Sequence, residues 1–283
     1  MINLNGNNPA SAAVYKLTRS DTPSLLHYKF TGSKNAPVIL CLHGFMGSGL
    51  DWEFLCGRLE GEFRCLAVDL PGHGKSLFLP EKAYHFNETV RQILSLLDEL
   101  SIERCHLIGY SMGGRIALSL ALNFPGRFDR IVLESASPGL RAAGDRRARV
   151  MADEKVSRRL ETQNLVHFLN NWYRQPLFGS WCKRPEFPRA LQIRLKNDPA
   201  ELAKSLRFSG AGVQPSLWEK LPGNKRPILF LAGEQDLKYR TIGAEMARDN
   251  PAVQMKIIQD SAHTIHGENP AAFVSAVRTF LIK

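Results

Sequence analysis

One nine-residue stretch, Leu107-Ile108-Gly109-Tyr110-Ser111-Met112-Gly113-Gly114-Arg115, limits what this chain can fold into more than any other. An apolar run from Cys105 to Ile108 ends in Gly-x-Ser-x-Gly, and Ile116, Ala117, Leu120 and Ala121 follow at helical spacing. The pattern is strand, sharp turn and helix, with the serine at the turn. Backbone segments in such a turn come so close that side chains are excluded at Gly109 and Gly113. The helix that begins there aims its free N–H groups and positive dipole end at the serine. A plain small-residue helix cap can carry the same letters, so the meaning of Ser111 depends on partners elsewhere in the chain.

The surrounding order supplies the sheet. Leu25 to Phe30 and Val38 to Leu42 read as strands, the second so apolar that both its faces must be buried. It runs into His43-Gly44-Phe45-Met46-Gly47-Ser48-Gly49, a loop whose backbone can approach a ligand and whose Phe45 N–H is a candidate oxyanion donor. His43 at its base reads as a structural hydrogen-bonding group. A helix from Asp51 to Leu59, a strand from Phe63 to Val68 and a turn at Asp69-Leu70-Pro71-Gly72-His73-Gly74 follow, with Asp69 and His73 as turn and packing residues. The helix Phe86 to Leu100 leads to the serine strand, and Ile131 to Glu134 is the next strand. Alternating strands and helices specify a doubly wound, mostly parallel α/β sheet, whose ligands gather at the carboxyl ends of the strands.

From Leu140 to about Gly212 the strand signal disappears, and helical stretches near 148–160, 164–172, 188–196 and 201–208 are broken by Pro176, Pro185 and Pro199. Strand patterns return at 227–231 and 253–258, and an amphipathic helix over 270–281 closes the chain. The expected organisation is a core in two parts, residues 1–137 and 214–283, with a helical lid at 138–213 between them.

Charge separates the same regions. The chain carries a formal +10, but residues 141–207 hold 15 Lys and Arg against 7 Asp and Glu, which leaves the remainder near neutrality. Basic residues interleaved with Leu, Phe and Trp suit a folded region that attracts small anions, and not a nucleic-acid arm. The opening residues lack a basic start or an apolar run of signal length, and no window reaches the ~18 apolar residues of a membrane span, so a cytoplasmic protein is expected. The five cysteines, Cys41, Cys56, Cys65, Cys105 and Cys182, show no C-x-x-C spacing and read as small hydrophobes, so neither disulfide nor metal is expected. No organic cofactor is implied. The sequence sets no oligomeric state and is compatible with a monomer.

Two later strand ends supply partners for Ser111. The strand over 228–231 ends in Ala232-Gly233-Glu234-Gln235-Asp236, and the one over 255–258 ends in Asp260-Ser261-Ala262-His263. Both put an ionisable side chain at the sheet edge of Ser111, in the order Ser, Asp, His. A serine hydroxyl is a poor base or nucleophile alone; His263 would take its proton, and Asp236 would hold the imidazole tautomer and stabilise the imidazolium. Glu134 stands as the alternative acid and His266 as the alternative histidine. Met112, directly after the serine, is the second candidate oxyanion donor.

With these residues placed, the chain resembles the α/β-hydrolase superfamily and, within it, the 2-succinyl-6-hydroxy-2,4-cyclohexadiene-1-carboxylate synthases of menaquinone and phylloquinone biosynthesis. The resemblance is carried by L-H-G-F-M-G-S-G-x-D-W at 42–52, V-D-L-P-G-H-G at 68–74, G-Y-S-M-G-G-R at 109–115, E-S-x-S-P-G-L at 134–140, W-Y-x-Q-P-L-F at 172–178, G-E-x-D-x-K-Y at 233–239 and H-x-x-H-x-E-N-P at 263–270. One departure is Ala262, where these enzymes usually have glycine before the histidine. The resemblance implies an α/β-hydrolase fold and a lyase that removes pyruvate from 2-succinyl-5-enolpyruvyl-6-hydroxy-3-cyclohexene-1-carboxylate, a polycarboxylate, by triad-assisted proton abstraction. It further implies substrate-binding roles for Tyr110, Arg115, Arg149, Trp172 and Arg194, with Arg146 a weaker candidate. Two other readings use the same residues: a serine hydrolase with covalent attack by Ser111, and a non-catalytic ligand-binding protein on the same scaffold.

Overall fold

The computed structural model describes residues 23–283. Residues 1–22 of the first core segment, and with them the expectation about the opening of the chain, lie outside the described residues. Seven strands, β1 (Tyr28–Thr31), β2 (Val38–Leu42), β3 (Arg64–Val68), β4 (Cys105–Tyr110), β5 (Phe128–Glu134), β6 (Ile228–Gly233) and β7 (Val253–Ile258), form one sheet in the order β1-β3-β2-β4-β5-β6-β7. Only β1 runs antiparallel to its neighbour. Strand order reverses at β2, so the crevice between the ends of β2 and β4 is the switch point at which a doubly wound sheet binds ligands.

The unbroken apolar run of β2 has a direct structural cause. Leu40 and Leu42 face one buried cluster while Ile39 and Cys41 face another, so a strand packed on both sides has no position left for a polar residue. One face of the sheet is covered by α2 (Phe86–Glu99), α3 (Met112–Asn123) and α8 (Leu237–Asp249), the other by α1 (Glu53–Leu59) and α9 (Pro270–Leu281). A helix expected from Asp51 begins instead with a 3-10 turn, Gly49–Trp52, capped by the Ser48 hydroxyl. Leu25 is exposed and precedes β1, so the first strand starts later than the hydrophobic pattern implied. Helix α8 has no counterpart in the sequence reading, because only Gly243 and Met246 of it are buried and its periodicity is faint.

Between β5 and β6 lie α4 (Ala143–Thr162), α5 (Leu165–Trp172), α6 (Phe187–Arg194) and α7 (Pro199–Ser209). They share a third apolar cluster, which includes Leu160, Phe168, Trp181 and Leu202 and is joined to the core through Met46 of the loop after β2. The helical insertion therefore has its own packing and roofs the strand ends. Among the described residues no helix is long and apolar enough to cross a membrane.

Candidate active site

The turn after β4 holds Ser111 at φ 48° and ψ −105°, a left-handed conformation that costs a non-glycine residue energy. Its N–H donates to Glu134 O at 2.9 Å, and its C=O accepts from Arg115 N at 3.0 Å, so neighbouring strand and following helix hold the strain in place. The close approach demanded of the glycines is present. A Cβ at Gly113 would stand 2.2 Å from Leu42 O, and one at Gly109 would stand 2.6 Å from Gly113 O.

Three distant side chains meet at this turn. His263 Nε2 lies 3.1 Å from Ser111 Oγ, and His263 Nδ1 lies 2.8 Å from Asp236 Oδ2. With Asp236 as acceptor, Nδ1 carries the proton and Nε2 is free to receive one from serine. Asp236 is itself anchored, because its Oδ1 accepts from Tyr239 N at 3.2 Å as the cap of α8. All three side chains stand at carboxyl ends of strands, from β4, β6 and β7.

The two alternatives left open by the sequence pair with each other instead. Glu134, fully buried, accepts from His266 Nδ1 at 2.9 Å and from His266 N at 3.0 Å. Burial alone would lower the pKa of His266; the Glu134 carboxylate outweighs it and holds the imidazole above its ordinary value. The side chains of this second acid–histidine pair lie beside the triad and make no hydrogen bond to the serine hydroxyl, with the Tyr110 ring 4.8 Å from His266 and 5.5 Å from His263.

The remaining polar residues near the sheet end have structural partners. His43 Nδ1 donates to Gly44 O at 2.7 Å and Nε2 accepts from Leu70 N at 2.9 Å, which fixes a neutral tautomer; burial lowers its pKa accordingly. Asp69 accepts from Gly49 N and Lys75 N at 2.7 and 2.9 Å, and thereby ties the two loops together. His73 is buried against the Phe45 ring. These agree with the structural reading of all three.

Ser111 and His263 open into a cavity of about 830 Å³ beneath the helical roof, also lined by Phe45, Met112, Tyr110 and Trp172. Met112 starts α3, where the first N–H groups have no helical acceptor. The Trp172 ring packs 5.8 Å from Phe45 on one side and stacks on Phe168 on the other. Tyr110 is committed through its hydroxyl to Thr264 Oγ1 at 2.9 Å.

The arginines that line this cavity differ sharply. Arg115 is buried, donating to Ser209 O at 3.0 Å and Gln214 Oε1 at 3.3 Å, and no carboxylate pairs with it among the described residues. Desolvation pulls its pKa down to about 10, so it is still a cation at neutral pH. Arg149 gives Nε to Asp153 at 2.7 Å and keeps a side chain 41% exposed at the rim. Arg194 lines the wall, but its two terminal nitrogens clasp the Asp51 carboxylate and its Nε reaches Tyr173 Oη at 3.3 Å. Arg146 donates to the carbonyls of Leu140 and Arg141.

Three contributors went unassigned in the sequence. Lys238 lines the cavity close enough to Arg149 and Arg115 that desolvation first, then their repulsion, lower its pKa. Gln214 holds Arg115. Glu268 accepts from Ala262 N at 2.7 Å and from Thr264 N at 2.9 Å, the two amides flanking His263, and so sets the loop that aims the imidazole. Its place in H-x-x-H-x-E was the available signal. Ala262 does not have a positive φ, so the conformation does not call for glycine there.

A family model described as the alpha/beta hydrolase fold matches residues 37–270. A Bacillus subtilis (strain 168) protein, provisionally named a 2-succinyl-6-hydroxy-2,4-cyclohexadiene-1-carboxylate synthase, is 37% identical over 253 residues, 88% of this chain and 92% of that protein. The chain belongs to the α/β-hydrolase superfamily and to its 2-succinyl-6-hydroxy-2,4-cyclohexadiene-1-carboxylate synthase family. An Escherichia coli O1:K1 / APEC synthase of that name is 31% identical over 250 residues and is covered over 96% of its length. MenH from S. aureus has the same fold with a TM-score of 0.86 and 32% identity, covering 90% of this chain and 98% of that one. Membership of the synthase family makes the chain an enzyme with a site for a small molecule, and the cavity at Ser111 is where the family's sheet topology would hold it.

Proposed function

We propose that this enzyme eliminates pyruvate from 2-succinyl-5-enolpyruvyl-6-hydroxy-3-cyclohexene-1-carboxylate, giving 2-succinyl-6-hydroxy-2,4-cyclohexadiene-1-carboxylate for menaquinone or phylloquinone biosynthesis. The observation that carries the reading is Arg115: a buried guanidinium without a carboxylate partner, opening onto the same cavity as Ser111, calls for an anion from outside.

The substrate bears three carboxylates, and the proposed site answers with Arg115, the free end of Arg149, and Lys238. Arg194, already neutralised by Asp51, contributes wall more than charge, and Tyr110 and Trp172 contribute shape. Ser111 passes its proton to His263 Nε2 and removes the ring proton next to the succinyl ketone, while Asp236 stabilises the imidazolium. The N–H groups of Phe45 and Met112 hold the charge that develops on the ketone oxygen. The C–H pair then becomes a ring double bond, the existing double bond shifts by one position, and the C–O bond to the enolpyruvyl group breaks with its electrons on oxygen. Protonation of that leaving group gives pyruvate. No acyl-enzyme forms, and residues of this chain suffice for every proton transfer. A cytoplasmic enzyme acting on a small polycarboxylate, without a nucleic-acid partner, belongs to the same reading.

The test is pyruvate release from the enolpyruvyl substrate, coupled to lactate dehydrogenase. The wild-type enzyme is expected to release pyruvate, Ser111→Ala and His263→Ala to lose that release, and mass spectra taken during turnover to show no adduct on Ser111. Rapid cleavage of small acyl esters with the enolpyruvyl substrate left intact would overturn the proposal in favour of the hydrolase reading.

A further inference from the structure

On the face of the sheet that α1 covers, Cys41 of β2, Cys56 of α1 and Cys65 of β3 bring their sulfur atoms within 4.8 Å of one another. All three are buried, and all belong to the apolar cluster with Ile39, Leu55 and Leu59. The meeting follows from the fold. Ile39 is paired with Cys65 in the parallel ladder, which puts Cys41 and Cys65 on one face of the sheet, and α1 packs its inner side across them.

We propose that Cys41, Cys56 and Cys65 form a three-coordinate site for a soft monovalent metal ion, copper(I). Three sulfurs bonded at about 2.3 Å around one ion in a plane stand about 4 Å apart, so with every pair already within 4.8 Å no pair has to close by more than about 1 Å. The donor set decides the class of ion. Hard cations need oxygen ligands and zinc takes four donors, whereas no carboxylate or imidazole completes this set among the described residues. Thiolate ligands alone select soft ions.

Binding is an exchange without electron transfer: Cys41, Cys56 and Cys65 each release a proton to solvent, and copper, delivered already reduced, forms three bonds to thiolate sulfur. The bound ion would cross-link β2, β3 and α1, and β2 leads directly into the loop of His43 and Phe45.

The proposal is independent of the lyase reading and is tested on the reduced full-length enzyme. Copper(I) is supplied as its bathocuproine disulfonate complex, followed by gel filtration, metal analysis, X-ray absorption and thermal melting. One copper per chain with three sulfur neighbours is expected, together with a raised melting temperature that grows with copper concentration. Cys56→Ser should lose the copper and the shift, while Cys182→Ala, at an exposed cysteine outside the trio, should keep both. Cys56→Ala serves if the serine variant folds poorly. Absence of retained copper, equal retention by the Cys56 variants, a centre with two sulfurs, or zinc held in preference to copper would each overturn the assignment.

Discussion

Two buried arginines line opposite parts of one cavity, and their surroundings could hardly differ more. Arg194 enters from the helical roof and meets Asp51 of the core in a two-pronged ion pair in which both side chains are only 4% exposed. Arg115 lines the cavity from α3 and bonds a carbonyl and an amide oxygen, with no carboxylate paired to it among the described residues. Charge is removed from water in both cases, and in one case only is it returned within the protein. The paired arginine ties the roof to the core, whereas the unpaired one is left to act on whatever anion occupies the cavity.

The contrast can be broken most forcefully at its paired end. Asp51→Ala strands Arg194 as a lone buried cation, and a loss of about 3–5 kcal/mol in unfolding free energy is expected by denaturant titration. Adding Arg194→Ala to that variant should recover part of the loss, since no charge is then stranded. At the unpaired end the effect moves from stability to chemistry. Arg115→Ala should lower kcat/KM for pyruvate release by roughly a hundredfold, in line with a cost of about 2–5 kcal/mol for removing a desolvated charge partner, while the melting temperature changes little. The opposite outcome, normal kinetics in an unstable protein, would show that Arg115 serves the fold.

Lys238→Met sharpens the comparison at the rim, where solvent weakens each contact. KM should rise about threefold to tenfold and become less sensitive to salt, with kcat nearly unchanged. The smallest effect belongs to the neighbouring acid–histidine pair. Glu134 holds the His266 pKa above its ordinary 6.5, so the stability this pair adds is fully present below about pH 6.5 and disappears as pH rises through the raised value. Glu134→Gln should remove that component from melting temperatures measured across neutral pH, and leave pyruvate release within a few fold of wild type.

Much of the candidate site could be read from the chain because its parts are announced by local chemistry. Ser111 lies between two glycines that only a tight strand-to-helix turn requires, and Asp236 and His263 each follow an apolar strand of a parallel sheet. Where two acids and two histidines competed, local pattern could only rank them. The ladder decided, by putting Glu134 within reach of His266 and leaving Asp236 for His263. Arg194 is the instructive case. The family resemblance made it a carboxylate ligand, and nothing near residue 194 in the chain reveals that Asp51, 143 positions earlier, already holds it.

The sequence by itself determined the order of the strands and of the helices other than α8, the strained turn at Ser111 and the concentration of positive charge in the insertion, because periodicity, turn residues and composition act over a few neighbouring positions. Tertiary structure alone decided which charges are neutralised, which acid serves which histidine, and that three cysteines from β2, α1 and β3 share one small volume. Those outcomes depend on distances between side chains far apart in the chain, and electrostatic and coordination energies fall off too steeply with distance for sequence spacing to stand in for separation in space.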